Sequence, residues 1–140
     1  MRALILDSEA ISRLARPSSR KQDAAIVHEY LTAAVTTRSP IRVPAAVLAE
    51  QYRGRGYDQA VDALLSRHEG VLMIVDTDRD LARSIGNLLA RHGRGTEDHV
   101  DAAVVATAAR CGGGVILTSD QGDVTELAEG LPNITVTVLR

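Results

Sequence analysis

Short apolar runs alternate with longer amphipathic stretches along this chain. Ala3 to Leu6 (ALIL) is apolar at every position, the pattern of a strand buried on both faces. From Gln22 to Thr37, Ala25, Ile26, Tyr30, Ala33 and Ala34 recur at helical spacing. Pro40 to Pro44 reads as a short extended piece, and Pro44 is tolerated at a strand end or at the first position of a helix. Ala45 to Tyr52 follows as a helix, then Tyr57 to His68 as a second, with Gly70 ending it. Val71 to Val75 (VLMIV) reads as a buried strand. Asp78 to Arg91 is amphipathic through Leu81, Ile85, Leu88 and Leu89, with Asp76 expected to cap it. After the loop 92–95, Thr96 is expected to cap a helix that is apolar nearly all round from Val100 to Ala109 (VDAAVVATAA), which marks it as central. Gly112 to Gly114 break that helix. Val115 to Leu117 reads as a strand, Asp123 to Ala128 as a short helix, and Ile134 to Leu139 as a last strand. This alternation predicts an α/β fold: a three-layer α/β/α sandwich around a parallel sheet of four to five strands.

The length of 140 residues suits a single domain over residues 1–140, and 45% apolar residues can build its core. The charge balance of 16 Lys+Arg against 18 Asp+Glu, net −2, excludes a simple basic glove for nucleic acid. Three tyrosines (Tyr30, Tyr52, Tyr57) are the only aromatics, which excludes base-stacking platforms. Cys111 is alone and cannot form an internal disulfide; it is expected to be a buried structural thiol. The apolar start is too short for a signal-peptide core, and no stretch approaches a membrane span of about 20 residues. A cytoplasmic protein without membrane contact is expected. The basic residues are arginines except for Lys21.

In a parallel α/β sheet, ligands sit at the carboxyl ends of the strands. Asp7 ends the first strand, and Asp120 follows Thr118-Ser119 at the end of a later one. Asp98 and Asp101, three apart at the start of the apolar helix, share a face. Asp123 completes the segment TSDQGD, and Glu50 sits on the helix after Pro44. Each acid has an ordinary reading beside the functional one. Asp7 can cap a helix begun by Ser8, Glu9 and Ala10; Asp98 and Asp101 can complement a helix dipole; Asp120 and Asp123 can be turn and cap residues; Glu50 can be a solvated surface acid. Taken together they converge where such a sheet places its site. Clustered carboxylates at neutral pH require protonation or a cation. All-oxygen ligation suits Mg²⁺ or Mn²⁺ and not zinc, and His28, His68, His92 and His99 are scattered.

The ordered set LILDSEAI, VPAAVLAE, DAAVVATAA and LTSDQGDV resembles the PIN-domain ribonucleases, and among them the VapC toxins of type II (VapBC) toxin–antitoxin systems. The resemblance runs from Ala3 to Leu139. It implies a Mg²⁺- or Mn²⁺-dependent endoribonuclease in which Asp7, Glu50, Asp101 and Asp120 are catalytic. Asp7, Asp101, Asp120 and Asp123 would bind metal, with Asp98 as an auxiliary or second-metal ligand. Val124 stands where the family often has Phe or Leu. Thr118, Arg13, Arg16, Arg53 and Arg55 are expected at the substrate, with Arg20 and Lys21 nearby. An RNA substrate, a cognate VapB-type antitoxin and a homodimer are the implied partners. The chain starts on its first strand, so operator binding would come in trans.

Three rival readings stand beside this one. A phosphoaspartyl receiver domain needs a lysine after a late strand, and Lys21 is misplaced. A haloacid-dehalogenase-like phosphatase needs two aspartates flanking one residue after the first strand, where this chain has Asp7-Ser8-Glu9. The third is an inert or housekeeping PIN-fold RNA-binding protein without an antitoxin.

Overall fold

A computed structural model describes residues 2–16 and 21–140, apart from the side chains of Lys21 and Gln22. The elements run β1 (Ala3–Leu6), α1 (Ser8–Ala15), α2 (Lys21–Thr36), β2 (Ile41–Pro44), α3 (Ala45–Gln51), α4 (Arg55–Arg67), β3 (Leu72–Val75), α5 (Arg79–Arg91), a 3₁₀ turn (Thr96–Asp98), α6 (His99–Arg110), β4 (Gly114–Thr118), α7 (Gln121–Ala128) and β5 (Ile134–Val138). The five strands form one sheet in the order β3-β2-β1-β4-β5. Every pairing is parallel. The α/β expectation holds, with the upper strand count.

The order follows from burial. The ALIL segment has no polar position, so it takes the central place, where all four residues are buried. Parallel neighbours require helical crossovers. These bring α6 against β1, β2 and β4, with α5 and α7 packed on it, while α2, α3 and α4 pack on α1. Seven consecutive residues of α6, Ala102 to Ala108, are buried, as the unbroken apolar run demands. Its small side chains let neighbouring backbones approach. Thr107 fits that interior because its hydroxyl donates back to the Ala103 carbonyl at 2.7 Å.

Four details differ from the sequence reading. β3 was expected to be buried, but it is a sheet edge, and Met73 and Ile74 are 48% and 43% exposed. The cap of α5 is Asp78, whose carboxylate accepts from the Leu81 amide at 2.8 Å, and not Asp76. Thr96 caps nothing: it lies inside the 3₁₀ turn, which Gly95 precedes. Cys111 is half-buried at the end of α6.

One register delivers the site. Ala3 pairs with Gly114 and Leu6 with Leu117, so the carboxyl ends of β1 and β4 finish side by side. A Cβ on Gly114 would lie 2.6 Å from the Ala3 carbonyl oxygen, so only glycine admits this approach. β2 ends directly in α3, whose first turn needs no donor from Pro44.

Candidate metal centre

Asp7 is the first residue beyond β1. Its amide donates to the Leu117 carbonyl at 3.1 Å, which ties it to the end of β4. The residue is 5% exposed, yet both carboxylate oxygens have donors. The Ser8 amide reaches Oδ1 at 2.7 Å, and the Thr118 hydroxyl reaches Oδ2 at 2.6 Å. Asp7 also caps α1, which is its ordinary reading in the sequence. Burial pushes its carboxyl above the ordinary value, the Thr118 and Ser8 donors pull it down, and the charges of Glu50 and Asp120 push it up again.

Thr118 has no solvent exposure. Its hydroxyl donates to Asp7 and accepts from the Asp120 amide at 3.0 Å. A side chain spent on two such bonds cannot touch substrate, which corrects the expected substrate contact. Thr118 instead fixes the distance between two acids. Asp120 caps α7, its carboxylate accepting from the Asp123 amide at 3.4 Å.

Asp101 stands in the first turn of α6. Its carboxyl is pushed up to about 7, first by burial, then by the charges of Asp120 and Asp7 and by a hydrogen bond shared with Asp120. Asp101 therefore carries the strain of the cluster. Glu50, exposed near the end of α3, accepts a hydrogen bond from the Ser8 hydroxyl.

Asp7, Ser8, Glu50, Asp101 and Asp120 line one cavity of about 320 Å³, together with Ser119, Val100 and the acids Glu9, Glu97, Asp98 and Asp123. Eight carboxylates (Asp7, Glu9, Glu50, Glu97, Asp98, Asp101, Asp120, Asp123) thus face one small space. Oxygen atoms of Asp98, Asp101 and Asp123 lie within 4.8 Å of one another. Among the described residues, no histidine or cysteine joins a group close enough to hold an ion. This donor set fits a hard divalent cation such as Mg²⁺ or Mn²⁺, because anionic oxygens at this spacing repel unless a cation sits between them.

The basic residues lie elsewhere. Arg13 is paired with Glu9 at 2.9 Å and is largely covered. Arg16 donates to Gln51 Oε1 at 2.9 Å and lies 4.6 Å over the Tyr57 ring. Arg53 and Arg55 are exposed, and Arg53 Nε donates to the Glu50 carbonyl at 3.1 Å. None of the four lines the cavity. Arg20 and the Lys21 side chain fall outside what is described. The sequence reading missed Arg94, in the loop before α6. It donates to Asp123 at 2.8 Å, Asp98 at 3.2 Å and Glu126 at 2.5 Å. It holds the Asp123 carboxyl below its ordinary value. Ser8 was missed too, as the donor that holds Glu50.

A family model described as "PIN domain" matches residues 4–129. Among curated proteins, no sequence matches. Solved structures that resemble the chain in fold include the following three. One is VapBC2 from Rickettsia felis bound to a DNA fragment from their promoter (15% identity, 99% of both chains, TM-score 0.66). A second is DNA-bound VapBC from Salmonella typhimurium (18% identity, 100% of both chains, TM-score 0.65). The third is VapC20 from Mycobacterium tuberculosis, described as a sarcin-ricin loop cleaving toxin (19% identity, 88% of this chain and 94% of that one, TM-score 0.62).

Proposed function

We propose that this chain, which belongs to the PIN domain family, is a divalent-metal-dependent endoribonuclease and the toxin of a VapBC-type toxin–antitoxin pair. The observation that carries the reading is that Asp7, Asp101 and Asp120 line one acidic cavity, with the Asp7 carboxylate and the Asp120 amide both held by the buried Thr118 hydroxyl.

Asp7, Asp101 and Asp120 would hold the ion, and Asp7 is already oriented by two donors. When bound, Mg²⁺ or Mn²⁺ supplies charge neutralisation at a scissile phosphate and acidifies water. Glu50, at the rim and steered by Ser8, takes the proton of the attacking water. Asp98 and Asp123 form a flank of the cavity. The substrate class is RNA, gripped by phosphate contacts from exposed Arg53 and Arg55. The covered Arg13 and Arg16 contribute by shaping α1 instead. Scarce aromatics favour recognition by backbone shape over base stacking.

An acidic cavity suits a basic side chain from an antitoxin. The fold likeness to VapBC complexes supports a VapB-type partner. A homodimer in the cytoplasm completes the proposal. Among the described residues, no helix is long and apolar enough to cross a membrane.

The deciding experiment is cleavage of RNA by the purified chain with Mg²⁺ or Mn²⁺, beside Asp7→Asn and Asp101→Asn. Cleavage by the wild type and its loss in both variants is expected. Equal cleavage by all three would sink the assignment, and metal binding without cleavage would favour an inert PIN-fold RNA-binding protein.

A further inference from the structure

Arg94 reaches the cavity's acids from the loop between α5 and α6. Its backbone amide is anchored to the Leu89 carbonyl at 2.8 Å, and its side chain is only 16% exposed. One guanidinium nitrogen serves both Asp123 and Asp98, and the other serves Glu126. Asp98 and Asp123 are two of the three carboxylates whose oxygens crowd within 4.8 Å; the third is Asp101. Of the ion pairs among the described residues, only those of Arg94 reach this group. A guanidinium and a divalent ion compete for the same oxygens, and holding both would set like charges a few ångströms apart. Glu126 lies outside the cavity lining and holds the far side of the guanidinium.

We infer that Arg94 is a positioning residue that withholds Asp98 and Asp123 from the metal, confines divalent binding to the Asp7, Asp101 and Asp120 side of the cavity, and so sets the number of bound ions. This rests on the metal-site reading above. The fixed positive charge takes the place a second ion would otherwise fill.

The test is Mn²⁺ titration of the whole chain, with free Mn²⁺ followed by electron paramagnetic resonance, on wild type, Arg94→Gln, Glu126→Gln and Arg94→Gln/Asp98→Asn. The wild type is expected to bind about one ion and Arg94→Gln about two, the double variant returning to about one. Glu126→Gln loosens the arginine from outside the cavity and should strengthen a second, weak site by about tenfold or less. That surface variant decides the matter if Arg94→Gln does not fold. Two ions in the wild type, or wild-type titrations in Arg94→Gln and Glu126→Gln alike, would overturn the role of Arg94 alone. No Mn²⁺ binding by any form would overturn the metal site itself, and the inference with it.

Discussion

Thr118 donates its hydroxyl proton to Asp7 Oδ2 at 2.6 Å from a position closed to solvent, across 111 residues of chain. The same oxygen accepts the Asp120 amide. One hydroxyl therefore sets the relative placement of two acids. Thr118→Val keeps the shape and removes the bonds. Leaving those groups unsatisfied is expected to cost about 1–3 kcal/mol in chemical denaturation. Outer supports of metal ligands typically govern about 10–100-fold in affinity or activity, and a comparable loss of Mn²⁺ affinity is expected here. Thr118→Ser should restore the affinity but only part of the stability.

The stability of the metal-free protein should depend on pH through Asp101. Its folded carboxyl titrates near 7, against an ordinary value of 3.8. The native state thus binds more protons than the unfolded chain between these values, and stability falls as pH rises through that window. Asp7 is shifted the same way. Asp123 and Asp78 are shifted downward, so their contributions act below 3.8, outside the window; His68, which burial holds below its ordinary 6.5, opposes the trend within it, but equally in the wild type and in Asp101→Asn. Thermal melts from pH 4 to 7.5 should show a declining midpoint in the wild type and a flatter profile in Asp101→Asn. A midpoint that climbs with pH would contradict this.

Excess Mg²⁺ should reverse the decline. An ion that binds only the native state stabilises it by mass action, about 2.7 kcal/mol at a hundredfold excess over Kd. The rise in melting temperature should therefore be larger at pH 7.5 than at pH 5, where protons compete for the same oxygens. Chelator should abolish it.

Glu50 separates chemistry from folding. It is exposed, and its hydrogen bond comes from Ser8 at the surface. Glu50→Gln is expected to leave the melting temperature unchanged and to lower the RNA cleavage rate by about 10²–10⁴-fold, the range of a general base. An unchanged rate would remove Glu50 from the proposed machinery.

Gly114→Ala probes the β1–β4 seam. The new methyl would meet the Ala3 carbonyl at 2.6 Å. Overpacking of this kind costs about 1–3 kcal/mol, which should appear as a lowered melting temperature. Because the seam carries Asp7 and Thr118, Mn²⁺ affinity should fall as well.

Much of this was legible in the sequence, for physical reasons that can be named. ALIL followed by an acid announces a central strand ending at the sheet's ligand edge, and Asp7 is there. DAAVVATAA has no polar face after Asp101, so it had to be the central helix. What escaped detection depends on partners distant in the chain. The Ala10, Ile11 and Leu14 face of α1 is short, and only the helix start showed. Met73 and Ile74 look like core residues until the strand order makes β3 an edge. Asp76 and Asp78 have equal claims as caps until a backbone chooses. Arg94, between two glycines, looks like loop solubility; its meaning lies in α7, about thirty residues on, and no local pattern reports that distance.

The place of β1 at the centre of the sheet has a consequence for synthesis. Its neighbour β2 begins at Ile41, while its other neighbour β4 begins only at Gly114. Until β4 joins, Asp7 has no Thr118, and Asp120, which follows β4, has no fixed place. A chain without β4 therefore carries these acids apart, without the cavity they line together. Completion of the sheet is itself the step that creates the site.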